Sequence, residues 1–512
     1  MNTSEFLNIA TLIVPERTAI VFDGKRITYA RLSDRVNRLS NALAKMGVSE
    51  GDRIAMMQVN CNEHIEAYFA AAKLDAVYVP LNFRSSSEEI RYMLSDASPK
   101  AIFAGKRYTE TIDGITEDIE GLDIRIVIDG HAEKWLEYES IIETVNSDER
   151  FPHDDEDALT MLMFTAGTTG VPKGVMLSHD SFSSYILSNV SPADLDIEEK
   201  NILTVPLYHI AGVQAVMAAI YGGRTLIVQR QFEPEEWMNL VQTERANRAM
   251  MVPTMLKMLM DHPKFESHDL TSLEVITYGA APMPIDRLKK AIDLFGMTLF
   301  QGYGLTESTA NIVILSPEDH DLTASGDRLT RLQSCGRGHS GHELRVLDDL
   351  GNELPPGEIG EICVRSESVM EGYWKDPDNT SKAIRSGWLH SGDMGYMDQD
   401  RYIYIAGRRN DMIKSGGEKI YPQEIEELLF GHPAVLEAAV CGVPHPDWGE
   451  VPRAYVALRP GSSLSAEEIL AYCASALPGF KCPKDVVFLS ELPKTASGKI
   501  TRAALQVGPA PE

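Results

Sequence analysis

The sequence lacks the cysteine pairs, the long apolar runs and the excess of basic residues that mark several large classes of protein. Its six cysteines are scattered without a close Cys-x-x-Cys pair, so neither a zinc site nor a disulfide framework is predicted. No segment approaches the roughly 20 apolar residues of a membrane-spanning helix. The formal net charge of −27 disfavours nucleic acids and anionic membranes as partners, because both carry negative charge.

The start of the chain also lacks the pattern of a signal peptide, since residues 1–6 have neither a basic start nor an apolar stretch. We therefore expect a cytoplasmic protein. The residues that are present, 44% hydrophobic and 24% charged, are typical of a folded chain. A chain of 512 residues is too long for one ordinary core, so we expect two or more domains.

Apolar spacing in the first part of the chain alternates between helical and strand-like patterns. Leu32, Val36 and Leu39 have helical spacing and precede a strand-like run at residues 53–57. Short β-rich runs precede longer periodic segments again in residues 201–229 and 273–299. This alternation predicts an α/β fold with a large multi-layer N-terminal domain.

The pattern changes in the last third of the chain. Residues 352–360 are rich in proline and glycine and lead into a strand-like run, which predicts a β-rich subdomain. A helix is predicted from Pro422, and Ser465 with Glu468 forms a capping-box pattern before a second helix. We predict an N-terminal domain over residues 1–409 and a small mobile α+β C-terminal domain over residues 410–512.

A loop rich in glycine and threonine lies within residues 163–175, between two strand-like runs. Its glycines allow the backbone to approach a polyanion closely, its threonines add hydroxyl donors and Lys173 adds positive charge, as a triphosphate requires. The spacing does not match the Walker pattern, because only two residues separate Gly167 from Gly170 and Gly174 follows the lysine. Composition alone leaves a surface turn open as the alternative.

A second glycine-rich stretch, residues 336–341, fits the pattern G-x-G-x-x-G. A dinucleotide-binding site requires a helix after this pattern, whereas a strand-like run at residues 343–347 follows here. We therefore reject a Rossmann site.

Taken in order, the motifs resemble those of the adenylate-forming superfamily, which includes acyl-CoA synthetases, nonribosomal adenylation domains and luciferases. The resemblance covers nearly the whole chain. Beyond the loop at residues 163–175, it rests on Tyr278-Gly-Ala-Ala-Pro282, Gln301-Gly-Tyr-Gly-Leu-Thr-Glu307, Gly387-Trp-Leu-His-Ser-Gly-Asp393, the stretch from Gly407-Arg408 to Tyr421-Pro422, and Pro493-Lys-Thr-Ala-Ser-Gly-Lys499.

The resemblance implies an ATP site, a magnesium ligand and a catalytic lysine. Tyr303 is implied to stack on adenine, and Asp393 with Arg408 to hold the ribose. Glu307 is implied to bind Mg²⁺ as a catalytic residue, and Lys499 to catalyse adenylation. The implied ATP- and AMP-binding residues are Thr165, Ala166, Gly167, Thr168, Thr169, Gly170, Lys173, Gly279, Ala280, Ala281, Pro282, Gln301, Gly302, Tyr303, Gly304, Thr306, Asp393 and Arg408.

The family joins a carboxylic acid to AMP and then transfers the acyl group to coenzyme A, after rotation of the C-terminal domain. The resemblance puts the hinge at Asn410, where the family usually has Asp or Lys; Asn tolerates unusual backbone angles. Ser415, Gly416 and Gly417 resemble the strip beside the pantetheine tunnel. Trp448 is a candidate contact for the nucleotide part of coenzyme A.

Residues 206–209 resemble a segment that borders the acyl pocket in acyl- and aryl-CoA synthetases. The predicted pocket residues are Tyr208, His209, Val213, Gly279 and Gly304. The aspartate that pairs with an amino group in amino-acid adenylation domains is absent, and so is the tryptophan-rich signature of acetyl-CoA synthetases. Apolar neighbours therefore favour a medium-chain, alicyclic or aromatic acid. A structural role remains the alternative for His209.

The prediction is an ATP-dependent acyl-CoA synthetase that uses ATP, Mg²⁺ and coenzyme A, with a small-molecule carboxylic acid as substrate and no nucleic-acid partner. A homodimer is left open. The alternatives are an acyl-AMP ligase that loads a carrier protein, a luciferase-like oxygenase and a non-catalytic acyl- or nucleotide-binding module. Retention of Lys499, Asp393 and Glu307 argues against the non-catalytic module.

Overall fold

The structure is a computed structural model that describes the chain except for a few short segments. These are residues 117–118, 120, 154, 166–170, 282, 296–298, 310, 325, 495–499 and 507–512. The described residues form three β-sheets with helices packed against them. Strands and helices are numbered along the chain.

The first sheet has 14 strands within the described residues and joins a parallel part to an antiparallel part. The parallel part and its edge hairpin comprise β1 (Thr18–Phe22), β2 (Lys25–Thr28), β10 (Lys200–Leu203), β11 (Thr225–Val228), β12 (Arg248–Met251), β13 (Val275–Gly279) and β14 (Leu299–Gly304). The antiparallel part comprises β15 (Asn311–Leu315), β16 (Gly336–Gly338), β17 (Glu343–Leu347), β18 (Gly360–Arg365), β20 (Ile384–Arg385), β21 (Trp388–Met397) and β22 (Tyr402–Arg408).

The second sheet is mostly parallel and the third mostly antiparallel. The second comprises β3 (Arg53–Met57), β4 (Val77–Pro80), β5 (Ala101–Ala104), β6 (Ile124–Val127), β7 (Leu136–Glu137), β8 (Leu159–Thr165), β9 (Lys173–Ser178) and β19 (Gly372–Tyr373). The third comprises β23 (Ile413–Ser415), β24 (Glu418–Ile420), β25 (Val435–His445), β26 (Gly449–Leu458) and β27 (Asp485–Phe488). The third sheet therefore lies wholly in the C-terminal hundred residues.

Helices connect and cover these sheets. They are α1 (Ser4–Ile13), α2 (Tyr29–Lys45), α3 (Asn62–Ala72), α4 (Ser87–Ala97), α5 (Thr109–Ile115), α6 (Tyr138–Glu143), α7 (His179–Asn189), α8 (Ile210–Tyr221), α9 (Pro234–Glu244), α10 (Pro253–Met260), α11 (Ile285–Phe295), α12 (Asp327–Thr330), α13 (Pro377–Ala383), α14 (Pro422–Phe430), α15 (Ala466–Ala476) and α16 (Arg502–Gln506). Among the described helices, none is long and apolar enough to cross a membrane.

Several predicted elements are confirmed. The periodic residues after Thr28 form α2, and the run at residues 53–57 is β3. Ser465 caps α15 and exchanges hydrogen bonds with Glu468, as the capping-box pattern predicts. The run at residues 343–347 is the strand β17, which agrees with the rejection of a Rossmann site.

The predicted α/β architecture with a small C-terminal domain is also confirmed. The β-rich region continues the first sheet, because β22 pairs with β16. The boundary at residue 409 stays a prediction. It coincides with a short 3-10 helix, Arg409–Asp411, between β22 and β23.

Two packing features position the candidate site. The parallel neighbours β13 and β14 end at the same edge of the first sheet, where α/β proteins usually bind ligands. In the second sheet, β8 and β9 form an antiparallel hairpin in which Thr165 lies opposite Lys173. The two strands expected on either side of residues 166–170 are thus present, and those five residues lie outside the described part of the chain.

Candidate active site

The ends of β13 and β14 approach each other closely because two glycines face each other. Gly279 lies opposite Gly302, and a Cβ on Gly279 would be 2.1 Å from the carbonyl oxygen of Gly302. No side chain fits at Gly279 without displacing this backbone. Ala280, the next residue, has a φ of +65°, which is uncommon for a residue with a Cβ. The strain marks this turn as a functional-site candidate.

Three predicted nucleotide residues form one hydrogen-bonded group. Asp393 and Arg408 are cross-strand neighbours on β21 and β22, and Nε of Arg408 lies 2.6 Å from Oδ1 of Asp393. The hydroxyl of Tyr303 donates to Oδ2 of the same carboxylate at 2.6 Å. Burial, with the negative charge of Asp393, raises the pKa of Tyr303 well above its usual value, so the phenol stays a donor.

A second group links the predicted phosphate loop to the predicted metal ligand through a residue that the sequence analysis missed. The hydroxyl of Tyr373, on β19, donates to Oε1 of Glu307 at 2.9 Å. The ammonium of Lys173 lies 5.0 Å from the centre of the Tyr373 ring, a cation–π distance. Burial and the nearby Glu307 carboxylate raise the pKa of Tyr373.

Glu307 suits a hard cation. Among the described residues, none donates a hydrogen bond to its Oε2, and the carboxylate is half-buried beside the end of β14. Magnesium prefers one or two carboxylate oxygens together with phosphate and water. Lys173, which contacts the same tyrosine as Glu307, adds a positive charge of the kind that phosphate oxygens require. The residues present therefore fit a magnesium–nucleotide complex.

Several predicted residues fall outside this description or have other partners. Seven predicted residues lie outside the described part of the chain: Ala166, Gly167, Thr168, Thr169, Gly170, Pro282 and Lys499. Gln301 accepts a hydrogen bond from the Tyr278 hydroxyl at 3.1 Å. Ala281 is exposed beyond β13, Gly304 ends β14, and Thr306 begins the 3-10 helix Thr306–Ser308.

The predicted acyl residues lie at the start of α8. His209 is the N-cap of this helix, with Nδ1 accepting from the backbone N–H of Ala211 at 3.3 Å, so it has a clear structural role. Tyr208 packs edge-on against Phe83, with ring centres 5.4 Å apart. Val213 is buried in the main core. The apolar neighbours Ile210, Val216, Ile312 and Val313 are members of the same core.

The predicted coenzyme A residues come together in the third sheet. Gly416 and Gly417 form the turn between β23 and β24, and both have positive φ, +58° and +91°. The Gly416 N–H donates to the Trp448 carbonyl at 2.9 Å, and a Cβ on Gly416 would lie 2.5 Å from the Trp448 ring. Ser415 is buried, while Trp448 is half-exposed.

The residues on either side of Asn410 have ionic partners in opposite directions along the chain. Arg409 contacts Asp349 at 3.1 Å and Glu361 at 3.2 Å. Asp411 contacts Arg502 of α16 at 3.1 Å. Arg502 in turn binds Glu426 of α14 at 2.7 Å, so the second set of contacts belongs to the C-terminal part of the chain.

A large α/β body is followed by a small α+β unit, strand ends are rich in glycine, and a hairpin flanks a glycine- and threonine-rich stretch of sequence. This is the arrangement of the adenylate-forming class of protein. The AMP-binding enzyme family matches residues 13–374, and the AMP-binding enzyme C-terminal domain matches residues 424–499. The chain belongs to the AMP-binding enzyme family, in its acyl-CoA ligase branch.

Three similar proteins illustrate this branch. A feruloyl-CoA synthase of Amycolatopsis sp is 36% identical over 501 residues, covering 96% of each chain. A long-chain-fatty-acid–CoA ligase of Mycobacterium tuberculosis is 33% identical, covering 94% of this chain and 93% of that protein. The structure of o-succinylbenzoate CoA synthetase from Bacillus subtilis, in complex with its acyl-adenylate intermediate, has a TM-score of 0.87 and 29% identity, covering 99% of each chain.

Proposed function

We propose that this acyl-CoA ligase activates a medium-chain, alicyclic or aromatic carboxylic acid in two steps. In the first step, a carboxylate oxygen bonds to the α-phosphorus of ATP, and the bond from that phosphorus to the bridging oxygen breaks to release pyrophosphate. In the second step, the coenzyme A sulfur bonds to the acyl carbon and AMP leaves. The observation that carries the proposal is the pair of hydrogen-bonded groups around Asp393 and Glu307, which include Tyr303 at the end of β14 and the segment that follows it.

The nucleotide contacts follow from these two groups. Asp393 accepts hydrogen bonds from the ribose hydroxyls, and Arg408 and Tyr303 hold its carboxylate in place. Lys173 and the residues 165–170 bind phosphate oxygens. Glu307 holds magnesium, which neutralises phosphate charge when bound. Tyr373 orients Glu307 through its hydrogen bond.

The remaining roles belong to the acyl and C-terminal residues. Lys499 supplies positive charge while negative charge develops during adenylation. Rotation at Asn410 then replaces that lysine by the strip of Ser415, Gly416 and Gly417, with Trp448 beside it, for thioester formation. The acyl pocket is lined by Tyr208, His209, Gly279 and Gly304. Val213, which is buried in the core, supports the wall of this pocket.

The acid class is supported by the apolar composition around α8. Ile210 and Val216 of α8 are buried in the same apolar core as Ile312 and Val313 of β15. A charged acyl chain would be desolvated among such residues without compensation. Feruloyl-CoA synthase and the long-chain-fatty-acid–CoA ligase are both relatives of this chain, and their names cover an aromatic acid and an aliphatic acid.

The test is pyrophosphate release with purified protein over a panel of acids, with and without coenzyme A. We expect acid-dependent release, and thioester product only when coenzyme A is present. Release without any thioester would favour the ligase that loads a carrier protein. An absence of acid-dependent release from folded protein would contradict the proposal and favour a non-catalytic binding module.

A further inference from the structure

A group of polar side chains lies beside the end of β14 and has no part in the contacts described above. It consists of Tyr185, Gln214, Asn311, His339 and His342, which we name the Tyr185 cluster. Its members come from α7, α8, β15 and the connection between β16 and β17. Four separate segments of the chain therefore converge on one place.

Asn311 connects the Tyr185 cluster to the candidate site. It lies opposite Gly304 in the pairing of β14 with β15. A Cβ on Gly302 would lie 2.6 Å from Nδ2 of Asn311, so the amide group of this side chain covers Gly302. Gly302 in turn faces Gly279. Asn311 is thus the cross-strand neighbour of Gly304, and its amide group is separated from Gly279 only by Gly302. Gly279 and Gly304 are both residues of the proposed acyl site.

Gln214 presents a buried amide nitrogen that no acceptor meets at hydrogen-bond geometry among the described residues. This side chain is only 9% exposed, and its Nε2 has no hydrogen-bond partner among the described residues. An unpaired buried amide costs about 1–3 kcal/mol, so such groups are rare unless a ligand or water completes them. Gln214 lies on α8, the helix that begins at the predicted acyl residue His209.

The three rings of the Tyr185 cluster pack against one another, and the Tyr185 ring carries the hydroxyl nearest to Gln214 in the cluster. Tyr185 packs against His339 and His342, with ring centres 5.8 Å and 6.2 Å apart, and the two histidines stack on each other. Burial raises the pKa of Tyr185 to about 12, and the neighbouring Asn311 and Gln214 side chains oppose that rise. Tyr185 is therefore a neutral phenol at ordinary pH.

The histidines are neutral as well. Burial lowers the pKa of His339 to about 4 and also lowers that of His342. Both nitrogens of His342 have partners, Ser340 O and Ser368 Oγ, each at 3.0 Å. No described residue hydrogen-bonds to the ring nitrogens of His339. The cluster thus offers neutral hydrogen-bonding groups and no cation.

We propose that the Tyr185 cluster recognises a neutral oxygen acceptor on the acyl chain or ring, such as a hydroxyl, ether or ketone oxygen, with Gln214 Nε2 as the donor. The proposal rests on the proposed function and narrows its substrate class. An acid without such an oxygen leaves the donor unpaired. A second carboxylate finds no positive partner in the cluster. A site built to hydrogen-bond its substrate rejects analogues that lack the group.

The experiment compares matched acids that differ only in the distal oxygen. Cinnamate is compared with its para-methoxy, para-hydroxy and para-carboxy derivatives, and octanoate with 7-oxooctanoate. The measured quantity is kcat/KM for pyrophosphate release. We expect the acid with a neutral oxygen to be favoured about tenfold or more in at least one pair. Equal values in every pair, or preference for the carboxy derivative, would overturn the proposal.

The variant Gln214→Met removes the amide group at nearly the same side-chain length. We expect the ratio of kcat/KM for the oxygen-bearing acid to kcat/KM for its matched acid to fall towards one. The control Gln333→Met, at an exposed glutamine, should keep the wild-type ratio. An unchanged preference in Gln214→Met would overturn the proposal. Because the Gln214 donor is unpaired, the apolar replacement should fold, and its thermal midpoint verifies this.

A binding measurement separates this inference from the proposed function. The rise in thermal midpoint caused by each acid reports binding without turnover. A larger rise with the oxygen-bearing acid that is lost in Gln214→Met supports the role of the Tyr185 cluster. This holds even if no acid causes pyrophosphate release, a result that would contradict the proposed function but not the cluster. No pyrophosphate and no acid-dependent rise would contradict both.

Discussion

At the scale of single residues, the sequence motifs led to the partners of Asp393 but not to Tyr373. Asp393 and Arg408 each lie in a motif that the family resemblance carries, and the structure pairs them. Tyr373 lies in a two-residue strand, too short for a periodic pattern to register. Its partner Glu307 is 66 positions away, so only the folded chain brings them together.

The Tyr373→Phe variant tests how much the Tyr373 hydroxyl holds Glu307. Loss of this donor frees the carboxylate to adopt other orientations, so we expect the magnesium concentration for half-maximal pyrophosphate release to rise several-fold. The shift should be the same at about pH 6.5 and about pH 8.5, because the raised pKa keeps Tyr373 protonated over that range. The control is Tyr396→Phe, because the Tyr396 ring stacks on Tyr404 and no described hydrogen bond joins its hydroxyl to Glu307.

An unchanged magnesium dependence in Tyr373→Phe would show that Glu307 is positioned without the phenol. A shift of equal size in Tyr396→Phe would show that the loss of a tyrosine hydroxyl acts through general stability rather than through Glu307.

At the scale of elements, local patterns predicted α2, β3 and the cap of α15, because apolar spacing and a Ser-x-x-Glu cap act within a few residues. Sheet membership was harder to predict. The β-rich region continues the first sheet through β16 and β22, a pairing between segments about 65 residues apart that no local signal encodes. The Tyr185 cluster was missed for the same reason.

The turn between β23 and β24 offers a matched pair of variants. Gly416→Ala and Gly417→Ala each place a Cβ at positive φ, which costs about 1–2 kcal/mol. Only the Cβ at 416 also meets the Trp448 ring, at 2.5 Å, whereas the Cβ at 417 meets nothing within 4 Å. We expect Gly416→Ala to slow thioester formation from supplied acyl-adenylate more than Gly417→Ala does, with adenylation affected equally in both.

The expected difference between the two variants arises from the contact of residue 416 with Trp448. Equal rates of thioester formation in the two variants would contradict a role for the Gly416–Trp448 contact in the second step. Thermal midpoints of both proteins show whether backbone strain alone explains the change.

At the scale of the whole molecule, the proposed cycle assigns the two steps to different arrangements of the two parts of the chain. Lys499→Ala should therefore suppress pyrophosphate release far more than thioester formation from supplied acyl-adenylate. Lys494→Ala is the matched control, since Lys494 is paired with Glu437 at 2.7 Å. Equal loss in both steps would contradict the role assigned to Lys499.

The stability of the large domain should depend on pH through His64. Its Nε2 donates to the Gln58 carbonyl at 3.1 Å and its Nδ1 accepts from the Tyr78 hydroxyl at 2.7 Å, which requires a neutral ring. Burial lowers its pKa from 6.5 to about 4. Its contribution to stability is thus complete above pH 6.5 and is lost as the pH falls towards about 4.

Thermal midpoints at about pH 7.5 and about pH 4.5 measure this dependence. We expect His64→Gln to be less stable than the wild type at the higher pH but to lose less on acidification. The exposed His131→Gln variant serves as control and should lose as much as the wild type. If the thermal midpoint of His64→Gln fell on acidification by as much as that of the wild type, the prediction would be contradicted.

The ion pairs around Asn410 have a mechanical consequence for the proposed cycle. Arg409 is tied to Asp349 and Glu361, and Asp411 is tied to Arg502, so the torsional freedom left between the two attachments lies in the few backbone bonds around Asn410. Such a joint acts as a hinge between two bodies that each move as a unit. A given rotation at Asn410 displaces every residue of the C-terminal part in proportion to its distance from the rotation axis.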